Sequence, residues 1–348
     1  MSGALDGAAV GAAPARIGIE RLGYYMPETV QTSEYIARES GIPRDVIESK
    51  FGIKQRHRAG PGEQVSDLGV KACLEALGDF DPALVDLVVY CGSEYKDYYL
   101  FNVAAHVAHR IGAVNANAFE IHNLCSAGVW SLKVLKAMMQ ADPELRHVLL
   151  FTASKETDVV DLSNQRTRFM FNFGDGAAAA LLKRDADKNI ILETKMITDG
   201  RFAADVAVYG VGSKNWDGLE TLDRPGRSLD VADPASMKER LDPISMANFV
   251  SVIEGAAAKS GYAGRIDFVA PIFMKSSILE GILGKLGLGL EDTFVLEDFG
   301  HCQSADAYVA LVEGQKAGRL KPGDLAVMFG AGTGYTWAAT AVKWGPAD

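Results

Sequence analysis

Cys125 is the residue of this 348-residue chain whose type and position best suit covalent chemistry. It follows an apolar, strand-like segment at 118–121 and precedes small residues and a helical pattern over 128–140. A cysteine at such a turn lies near a helix N-terminus, where unpaired N–H groups and the helix dipole favour the nucleophilic thiolate. The alternative is a small buried side chain without chemistry, which is the usual state of a free cysteine. The local sequence by itself favours that alternative.

The composition narrows the classes of function. A net charge of −10 argues against binding to nucleic acid or to an anionic membrane surface. The four cysteines (Cys73, Cys91, Cys125 and Cys302) include no CxxC pair, which fits neither a disulfide framework nor a zinc site and indicates a reducing cytoplasm. No apolar run approaches membrane-spanning length. We therefore expect a cytoplasmic protein that binds no metal.

The elements around Cys125 occur twice along the chain. The residues before a charged run at 183–188 alternate between strand and helix patterns, and the residues after it repeat their order. The repeated segments are 86–91 and 267–272, 148–154 and 325–332, and 174–182 and 334–342. This pattern predicts an internally duplicated α/β fold.

The duplication divides the chain into three predicted parts, which are a flexible tail at 1–15, a first half at 16–187 that holds the nucleophile, and a second half at 188–348. A polar stretch at about 200–243 fits the repeat poorly. We expect it to lie over the mouth of a pocket.

These features resemble the thiolase superfamily, and within it the β-ketoacyl-ACP synthase III group, from about residue 16 to residue 344. The likeness rests on Ser-Lys-Phe-Gly-Ile-Lys-Gln-Arg-His at 49–57, Cys-Ser-Ala-Gly at 125–128, Phe-Gly-Asp-Gly-Ala at 173–177 and Gly-Thr-Gly-Tyr-Thr-Trp at 332–337. It implies two thiolase-like βαβαβαββ halves in a five-layered α-β-α-β-α core, with Cys125 as the acyl-accepting nucleophile. A shared fold does not name the reaction.

Two positions depart from the condensing members of that group, which use a histidine and an asparagine beside the cysteine. Ile272 stands in the matching position of the histidine, and His301 stands in that of the asparagine. An isoleucine side chain neither donates nor accepts a hydrogen bond. This difference argues against ordinary decarboxylative condensation.

The remaining residues suggest a triad. His301 lies at the entry of a predicted helix at 304–316, and Asp306 falls in its first turn, so that the carboxylate can reach the imidazole. The pattern resembles a smaller branch of the family, the Cys/Ser-His-Asp acyltransferases and starter-unit enzymes of polyketide and antibiotic pathways. It implies an acyl-Cys125 intermediate, His301 as base, Asp306 as its partner, and an oxyanion hole formed by the N–H groups of Cys125 and Thr333. We expect His122, which precedes the turn, to point into the sheet.

The resemblance also implies binding residues and partners. Phe101 matches an aromatic that closes the acyl pocket of a neighbouring subunit in a homodimer, although a core aromatic is equally expected there. Val46 replaces an adenine-stacking tryptophan, which favours an acyl carrier protein over free coenzyme A as donor. The remaining matched or nearby cations are Lys50, Arg166, Arg168 and Lys275. No cofactor is expected beyond the phosphopantetheine thioester of the substrate.

Three functions follow from these residues. The first is transfer of an acyl group from a carrier-protein or coenzyme A thioester, through acyl-Cys125, to a hydroxyl or amine of a small molecule in secondary-metabolite biosynthesis. The second is polyketide starter-unit priming or ketosynthase III-type condensation with His301 alone. The third is a non-catalytic partner subunit, in which His301 is inert and Asp306 is only a helix N-terminal acid.

Overall fold

The computed structural model describes residues 14–347, so the predicted tail at 1–15 lies outside the described residues except for its last two positions. The strands in this range are β1 (Ile17–Tyr25), β2 (Val30–Thr32), β3 (Gln55–His57), β4 (Leu87–Gly92), β5 (Asn117–His122), β6 (His147–Ser154), β7 (Gly176–Arg184), β8 (Lys188–Thr198), β9 (Val206–Ala207), β10 (Asp230–Val231), β11 (Phe268–Ala270), β12 (Leu325–Gly332) and β13 (Thr336–Pro346). The α-helices are α1 (Ser33–Ser40), α2 (Arg44–Val46), α3 (Val65–Leu77), α4 (Val103–Arg110), α5 (Ala127–Ala141), α6 (Pro234–Lys259), α7 (Ser276–Leu286) and α8 (Asp306–Lys316).

Short helical turns connect several of these elements. A π-helical turn at Ile47–Phe51 continues α2. The 3₁₀ turns are Pro82–Leu84, Leu124–Ser126, Glu156–Asp158, Gln165–Met170, Gly200–Phe202, Trp216–Thr221, Pro225–Arg227, Leu290–Asp292 and Gln303–Ala305. Two of them, Leu124–Ser126 and Gln303–Ala305, lead directly into α5 and α8.

A mixed sheet of nine strands, counted over residues 14–347, has the order β11-β12-β13-β8-β1-β7-β6-β4-β5. In its first half, β7 is antiparallel to β1 and β6, and β4 is parallel to β6 and β5. In its second half, β13 is antiparallel to β8 and β12, and β12 is parallel to β11. The same arrangement therefore occurs twice, as the repeated sequence patterns predict.

The two halves join where β1 meets β8 at the pair Gly18 and Ile190. A glycine is required at this crossing, because a Cβ on Gly18 would lie 2.3 Å from the carbonyl oxygen of Lys188. The described sheet changes from one half to the other close to the charged run at 183–188, since β7 ends at Arg184 and β8 begins at Lys188.

The helices form three layers around the two halves of the sheet. Buried residues of α3 and α4 pack on β4, β6 and β7, and those of α6 and α7 pack on β12 and β13. Between the halves, α5 and α8 share one apolar cluster with both, including Leu132, Leu135 and Leu311. Each such fully buried side chain contributes about 1.5–3 kcal/mol of burial free energy. The predicted five-layered α-β-α-β-α core is confirmed.

The irregular part of the second half is shorter than expected. Residues 200–233 contain only 3₁₀ turns and the ribbon of β9 and β10. Helix α6 then begins at Pro234, where Asp233 accepts hydrogen bonds from the next two free amides, and it continues through Pro243. The expected limit at 243 is therefore too far along the chain, because packing of Val252, Ile253 and their neighbours stabilises a helix that tolerates an internal proline. No helix of the described range is long and apolar enough to cross a bilayer.

Candidate active site

Cys125 lies on the 3₁₀ turn between β5 and α5, as predicted, and is 9% exposed. The preceding Leu124 has φ 51°, in the left-handed region that non-glycine residues rarely occupy. Strand β12 supports the turn from the second half, because a Cβ on Gly330 would lie 2.8 Å from the Cys125 carbonyl oxygen. The thiol is thus held at the N-terminal end of a 15-residue helix of the central layer.

The structure brings the three residues of the predicted triad together. His301 Nε2 lies 3.2 Å from Cys125 Sγ, and His301 Nδ1 lies 2.5 Å from Asp306 Oδ2. Asp306 also accepts hydrogen bonds from the backbone N–H groups of Cys302 and Phe273, both at 2.7 Å. The carboxylate therefore orients the imidazole, and the imidazole faces the thiol. The catalytic roles of these side chains stay predictions.

The electrostatics of the buried His301 follow from these contacts. Burial alone would lower the pKa of its imidazole, but the neighbouring Asp306 and Cys125 raise that pKa well above its ordinary value. An imidazolium is thereby stabilised between a carboxylate and the group that becomes a thiolate. Such pairing is how a buried charge is made tolerable.

The glycine-rich segment at 173–177 positions His301. The His301 N–H donates to the Asn172 carbonyl at 2.7 Å, and the Gly174 N–H donates to the His301 carbonyl at 2.9 Å. The Phe173 ring meets the imidazole edge to face at 5.0 Å. This motif of the first half therefore holds the base that the second half supplies.

Ile272 forms an apolar wall of the site. It is 8% exposed, and its N–H donates to the Phe329 carbonyl at 3.1 Å. Its Cγ2 lies 3.1 Å from the position of a Cβ on Gly330, the glycine that faces the Cys125 carbonyl. The next residue, Phe273, uses its N–H to bind Asp306. This stretch supports the acid of the triad through its backbone and offers no polar side chain to the substrate.

The predicted oxyanion residue Thr333 lies in the turn between β12 and β13. Its neighbour Gly332 packs closely on the nucleophile turn, because a Cβ there would lie 2.6 Å from the Asn123 carbonyl and 3.2 Å from Ser126 Oγ. The turn also carries Tyr335, whose ring stacks on Trp337 at 5.5 Å. Burial, with smaller electrostatic contributions from the nearby Cys125 and Asp205, raises the pKa of the Tyr335 phenol.

The predicted cations separate into two groups. Arg166 donates to Asp230 at 3.1 Å and to the carbonyls of Val231 and Ala232, so it holds the β10 segment. Lys275 is half-buried beside the Phe51 ring, at 5.5 Å, and its pKa is lowered by burial and by nearby Arg168 and Lys238.

The structure therefore favours Arg168 over Arg166 as the arginine of a cationic cluster with Lys275. Lys238 of α6, which the sequence analysis did not select, belongs to the same cluster, where it is ion-paired with Asp242. Lys50 is exposed and lies next to Phe51 in the chain.

Phe101 lies in the loop between β4 and α4. Together with other residues of this loop and with β5, it lines a cavity of about 600 Å³. Its ring contacts Tyr98 and His106 at 5.6 and 5.4 Å. Its carbonyl accepts a hydrogen bond from Lys96 at 2.9 Å, and Lys96 is paired with Glu120 of β5 at 2.6 Å. These contacts fix the loop within one protomer, and the pocket-closing role of Phe101 stays a prediction.

Three buried polar residues behind His301 were not selected by the sequence analysis: Arg56, Asp175 and Glu156. Arg56 donates to the carbonyls of Phe171 and Phe173 at 3.0 and 2.8 Å, and Asp175 accepts from the Ala59 N–H at 2.8 Å. Both residues belong to the motifs at 49–57 and 173–177, so the motifs themselves were the available signal. Glu156, the third member, is 3% exposed and lies in a segment without any recognisable pattern.

The cysteines and histidines form no metal centre in the part of the chain that the structure describes, where no three His, Cys, Asp or Glu side chains are arranged to hold an ion. Cys73, Cys91, Cys125 and Cys302 are all free and buried.

Comparison with known proteins places this geometry in a family. The N-terminal family profile described as 3-Oxoacyl-[acyl-carrier-protein (ACP)] synthase III matches residues 119–200, which include Cys125. The corresponding C-terminal profile matches residues 258–344, which include His301, Asp306 and Thr333. The β-ketoacyl-[acyl-carrier-protein] synthase III of Clostridioides difficile is 28% identical over 331 residues, which cover 94% of this chain and 98% of the relative.

Solved structures agree. The priming β-ketosynthase of the R1128 polyketide biosynthetic pathway superposes with a TM-score of 0.82 at 25% identity, covering 97% of this chain and all of that one. The 3-oxoacyl-[acyl-carrier-protein] synthase III of Aquifex aeolicus has the same fold, with a TM-score of 0.81 at 23% identity over 94% of this chain and all of that one. The duplicated core, the cysteine turn and these full-length likenesses establish that the chain belongs to the β-ketoacyl-ACP synthase III group of enzymes in the thiolase superfamily.

Proposed function

We propose that this chain is a ketosynthase III-type priming enzyme, which takes an acyl group from a carrier-protein or coenzyme A thioester onto Cys125 and passes it on as a starter unit. The observation that carries the proposal is the 3.2 Å approach of His301 Nε2 to Cys125 Sγ, with both side chains buried. The relatives are named as synthases III and as a priming β-ketosynthase. These names support priming or condensation better than acyl transfer to a hydroxyl, which neither name mentions.

The first step is acylation of the cysteine. The Cys125 thiolate attacks the thioester carbonyl, the carbon–sulfur bond to the phosphopantetheine arm breaks, and the leaving thiolate takes a proton from the His301 imidazolium. The N–H groups of Cys125 and Thr333 would bind the transient oxyanion. Asp306 holds the imidazole tautomer throughout, through its 2.5 Å contact with His301 Nδ1. Acylation therefore requires only side chains of this site and the thioester substrate.

The second step decides the reaction. In priming condensation, a malonyl thioester loses CO₂ and its α-carbon attacks the acyl-Cys125 carbonyl, which forms a carbon–carbon bond and frees the thiolate. The negative charge on the malonyl thioester oxygen then needs a hydrogen-bond donor. Acylation leaves His301 neutral, so the imidazole must first take up one proton from solvent, which the neighbouring Asp306 favours by raising its pKa. We propose that the resulting imidazolium donates through Nε2 to this oxygen, in place of the histidine that Ile272 replaces, and that it again faces the Cys125 thiolate when condensation frees it.

A second candidate function is transfer of the acyl group to a hydroxyl or amine of a small molecule of a polyketide or antibiotic pathway. The specific observation in its favour is the complete Cys125–His301–Asp306 arrangement, in which Nδ1 is held by the carboxylate and Nε2 remains to accept a proton. Ile272 adds to it, because an apolar wall offers nothing to a decarboxylating malonyl group.

Intact-mass spectrometry separates these candidates. Wild-type protein incubated with acyl-carrier and acyl-CoA thioesters should gain the mass of one acyl group, and Cys125→Ala should gain none. Absence of an adduct on wild type would favour the third hypothesis, a non-catalytic partner subunit. An acyl-enzyme that consumes malonyl carrier with release of CO₂ would support priming. One that forms an ester or amide without CO₂ release would replace it with the second candidate.

We propose that surface residues bind the acyl donor and form the contact between two copies of the chain. The cluster of Arg168, Lys238 and Lys275 is suited to the phosphate of a phosphopantetheine arm or to an acidic carrier protein. Lys50 would extend it. Strand β5 forms an edge of the nine-stranded sheet, and we propose that a second copy binds there in a homodimer and contributes Phe101 to the acyl pocket. A reducing cytoplasm suits a nucleophilic thiol.

A further inference from the structure

Glu156 is a buried carboxyl group that the chemistry above does not use. It begins the 3₁₀ turn after β6 and is 3% exposed. Its Oε1 accepts a hydrogen bond from Ser93 Oγ at 2.7 Å, and its Oε2 accepts one from Ser154 Oγ. Ser93 begins the loop that carries Phe101, and Ser154 ends β6. Glu156 therefore joins two elements that border the site.

A short chain of contacts leads from this carboxyl group to the base. Ser154 Oγ lies 3.2 Å from the Gly174 carbonyl oxygen as well as beside Glu156. The N–H of Gly174 donates to the His301 carbonyl at 2.9 Å. The hydroxyl of Ser154 has one proton and two possible acceptors, the carboxyl group and the Gly174 carbonyl.

Titratable side chains from several neighbouring elements surround Glu156. The facing groups are Tyr90 on β4, Tyr95 in the next loop, Asp175 before β7, and His301 and Cys302 before α8. Burial raises the pKa of Glu156 to about 7; the serine hydroxyls oppose the rise, Asp175 adds to it and His301 opposes it. Arg56 faces Asp175 from β3. The carboxyl group thus exchanges its proton near neutral pH.

The proton on Glu156 decides where the Ser154 hydroxyl points. When Glu156 is neutral and carries its proton on Oε2, this O–H donates to Ser154 Oγ, and the Ser154 proton is free for the Gly174 carbonyl. When Glu156 is ionised, a carboxylate accepts only, so Ser154 donates to it and the Gly174 carbonyl loses a donor. The two states therefore differ in whether Ser154 donates a hydrogen bond to the Gly174 carbonyl, in the segment that binds the His301 backbone.

We propose that Glu156 is a positioning residue for His301, which in its neutral form directs the Ser154 hydroxyl to the Gly174 carbonyl and so holds the segment that binds the His301 backbone. Ionisation releases this segment and misaligns Nε2 from the Cys125 thiol. The consequence for acyl transfer rests on the proposed function. The consequence for the reactivity of Cys125 does not.

The test compares wild type with Glu156→Gln, since glutamine copies the neutral acid at every pH. The rate of Cys125 alkylation by iodoacetamide is measured from pH 6 to pH 8, with Cys125→Ala as the blank. The ratio of the wild-type rate to the Glu156→Gln rate should be near one at pH 6 and about tenfold lower at pH 8, by analogy with the outer hydrogen-bond partners of metal ligands, whose loss costs about 10–100-fold. A constant ratio would overturn the proposal. A ratio that rises with pH would also overturn it, because the charge of Glu156 would then act directly.

Ser154→Ala provides a second measurement that does not depend on the glutamine variant. It lacks the hydroxyl that is redirected, so it should react like wild type at pH 8 and about tenfold more slowly than wild type at pH 6. Equal rates for this variant and wild type at pH 6 would contradict the proposal. If alkylation follows the expected pattern while no thioester acylates Cys125, the proposed function fails and the positioning role of Glu156 stands.

Discussion

The two halves of the molecule build the same backbone device and use it for different chemistry. In each half a three-residue 3₁₀ turn leads directly into a helix of the central layer. Each turn begins with a non-glycine residue in the left-handed region, Leu124 at φ 51° and Gln303 at φ 53°. The first turn presents the thiol of Cys125, whereas the second is preceded by His301 and followed by Asp306. Duplication supplied two equivalent turns, and the site lies where they face each other.

The residues at corresponding positions of the two turns show how the roles divided. Ser304 occupies the place that Cys125 has in the first half. Its hydroxyl donates to the Leu124 carbonyl at 2.8 Å and accepts from the Gly128 N–H at 3.0 Å. The same place therefore holds a nucleophile in one half and, in the other, a hydroxyl that fastens the two turns together.

Two histidines make a similar pair, each two residues before the left-handed position. His301 is buried against Cys125, whereas His122 is partly exposed and contacts the carboxylates of Glu94 and Glu120. The expectation that His122 points into the sheet is wrong, because these carboxylates bind its ring at the edge of the sheet. Carboxylates contact both rings, so burial and the contact with the Cys125 thiol distinguish the base from its counterpart.

The largest difference is expected between Cys125→Ala and Ser304→Ala. The first should abolish acylation by thioesters, because no other side chain of the site supplies a nucleophile. The second should acylate and lose about 1–3 kcal/mol of unfolding free energy, since the Leu124 carbonyl and the Gly128 N–H lose a buried partner. Intact mass and denaturant unfolding measure the two effects. Loss of acylation in a folded Ser304→Ala protein would show that the two turns are not functionally distinct.

His301→Ala and His122→Ala form the next pair. Removal of His301 should slow acylation of Cys125 by about 10²–10⁴-fold, the usual contribution of a positioned acid–base group. Removal of His122 should change the rate by less than about threefold, because its ring bonds carboxylates away from the thiol. Single-turnover acylation kinetics provide the measurement. Comparable losses in both variants would contradict the assignment of the base to the second half.

Asp306→Asn tests the partner of the base. Without the carboxylate, burial has less opposition and the pKa of His301 should fall, because the close opposite charge that favours the imidazolium is lost. The imidazolium would then be lost at lower pH, so the pH profile of Cys125 alkylation should change shape while the fold persists. An unchanged profile, measured with iodoacetamide, would leave Asp306 with only its backbone hydrogen bonds as a role.

The last expected effect concerns the stability of the fold and not the rate of acylation. The pKa of Glu156 rises on folding from the ordinary range to about 7, so the folded protein binds the proton more tightly and loses stability as pH rises from about 4.5 through 7. Glu156→Gln should escape this loss. Its unfolding free energy should match that of wild type near pH 4 and exceed it at pH 8 by up to about 3 kcal/mol. Thermal unfolding at both pH values checks the sign, and a wild-type advantage at pH 8 would refute it.

Much of the fold was determined by the sequence itself. Apolar periodicity predicted the strands and helices, and the repeated order of segments predicted the duplicated sheet, because burial on one or both faces constrains residue type along each element. Cys125 and the five-residue spacing of His301 and Asp306 were also readable, since a strand-to-helix turn and a first helical turn are local features. Helix α6 was not fully readable, because tertiary packing overrides the preference of Pro243.

Only the tertiary structure decided which of these residues meet. His301 and Cys125 are 176 positions apart in the chain, and their contact depends on the packing of α5 against α8 between the halves. The pairing of Arg166 with Asp230, the position of Arg168 near Lys275, and the burial of Glu156 behind His301 depend on neighbours from distant segments. Residue type and local spacing determined what each side chain could do, and long-range packing, which sets distance and burial, determined which of them can act on one another.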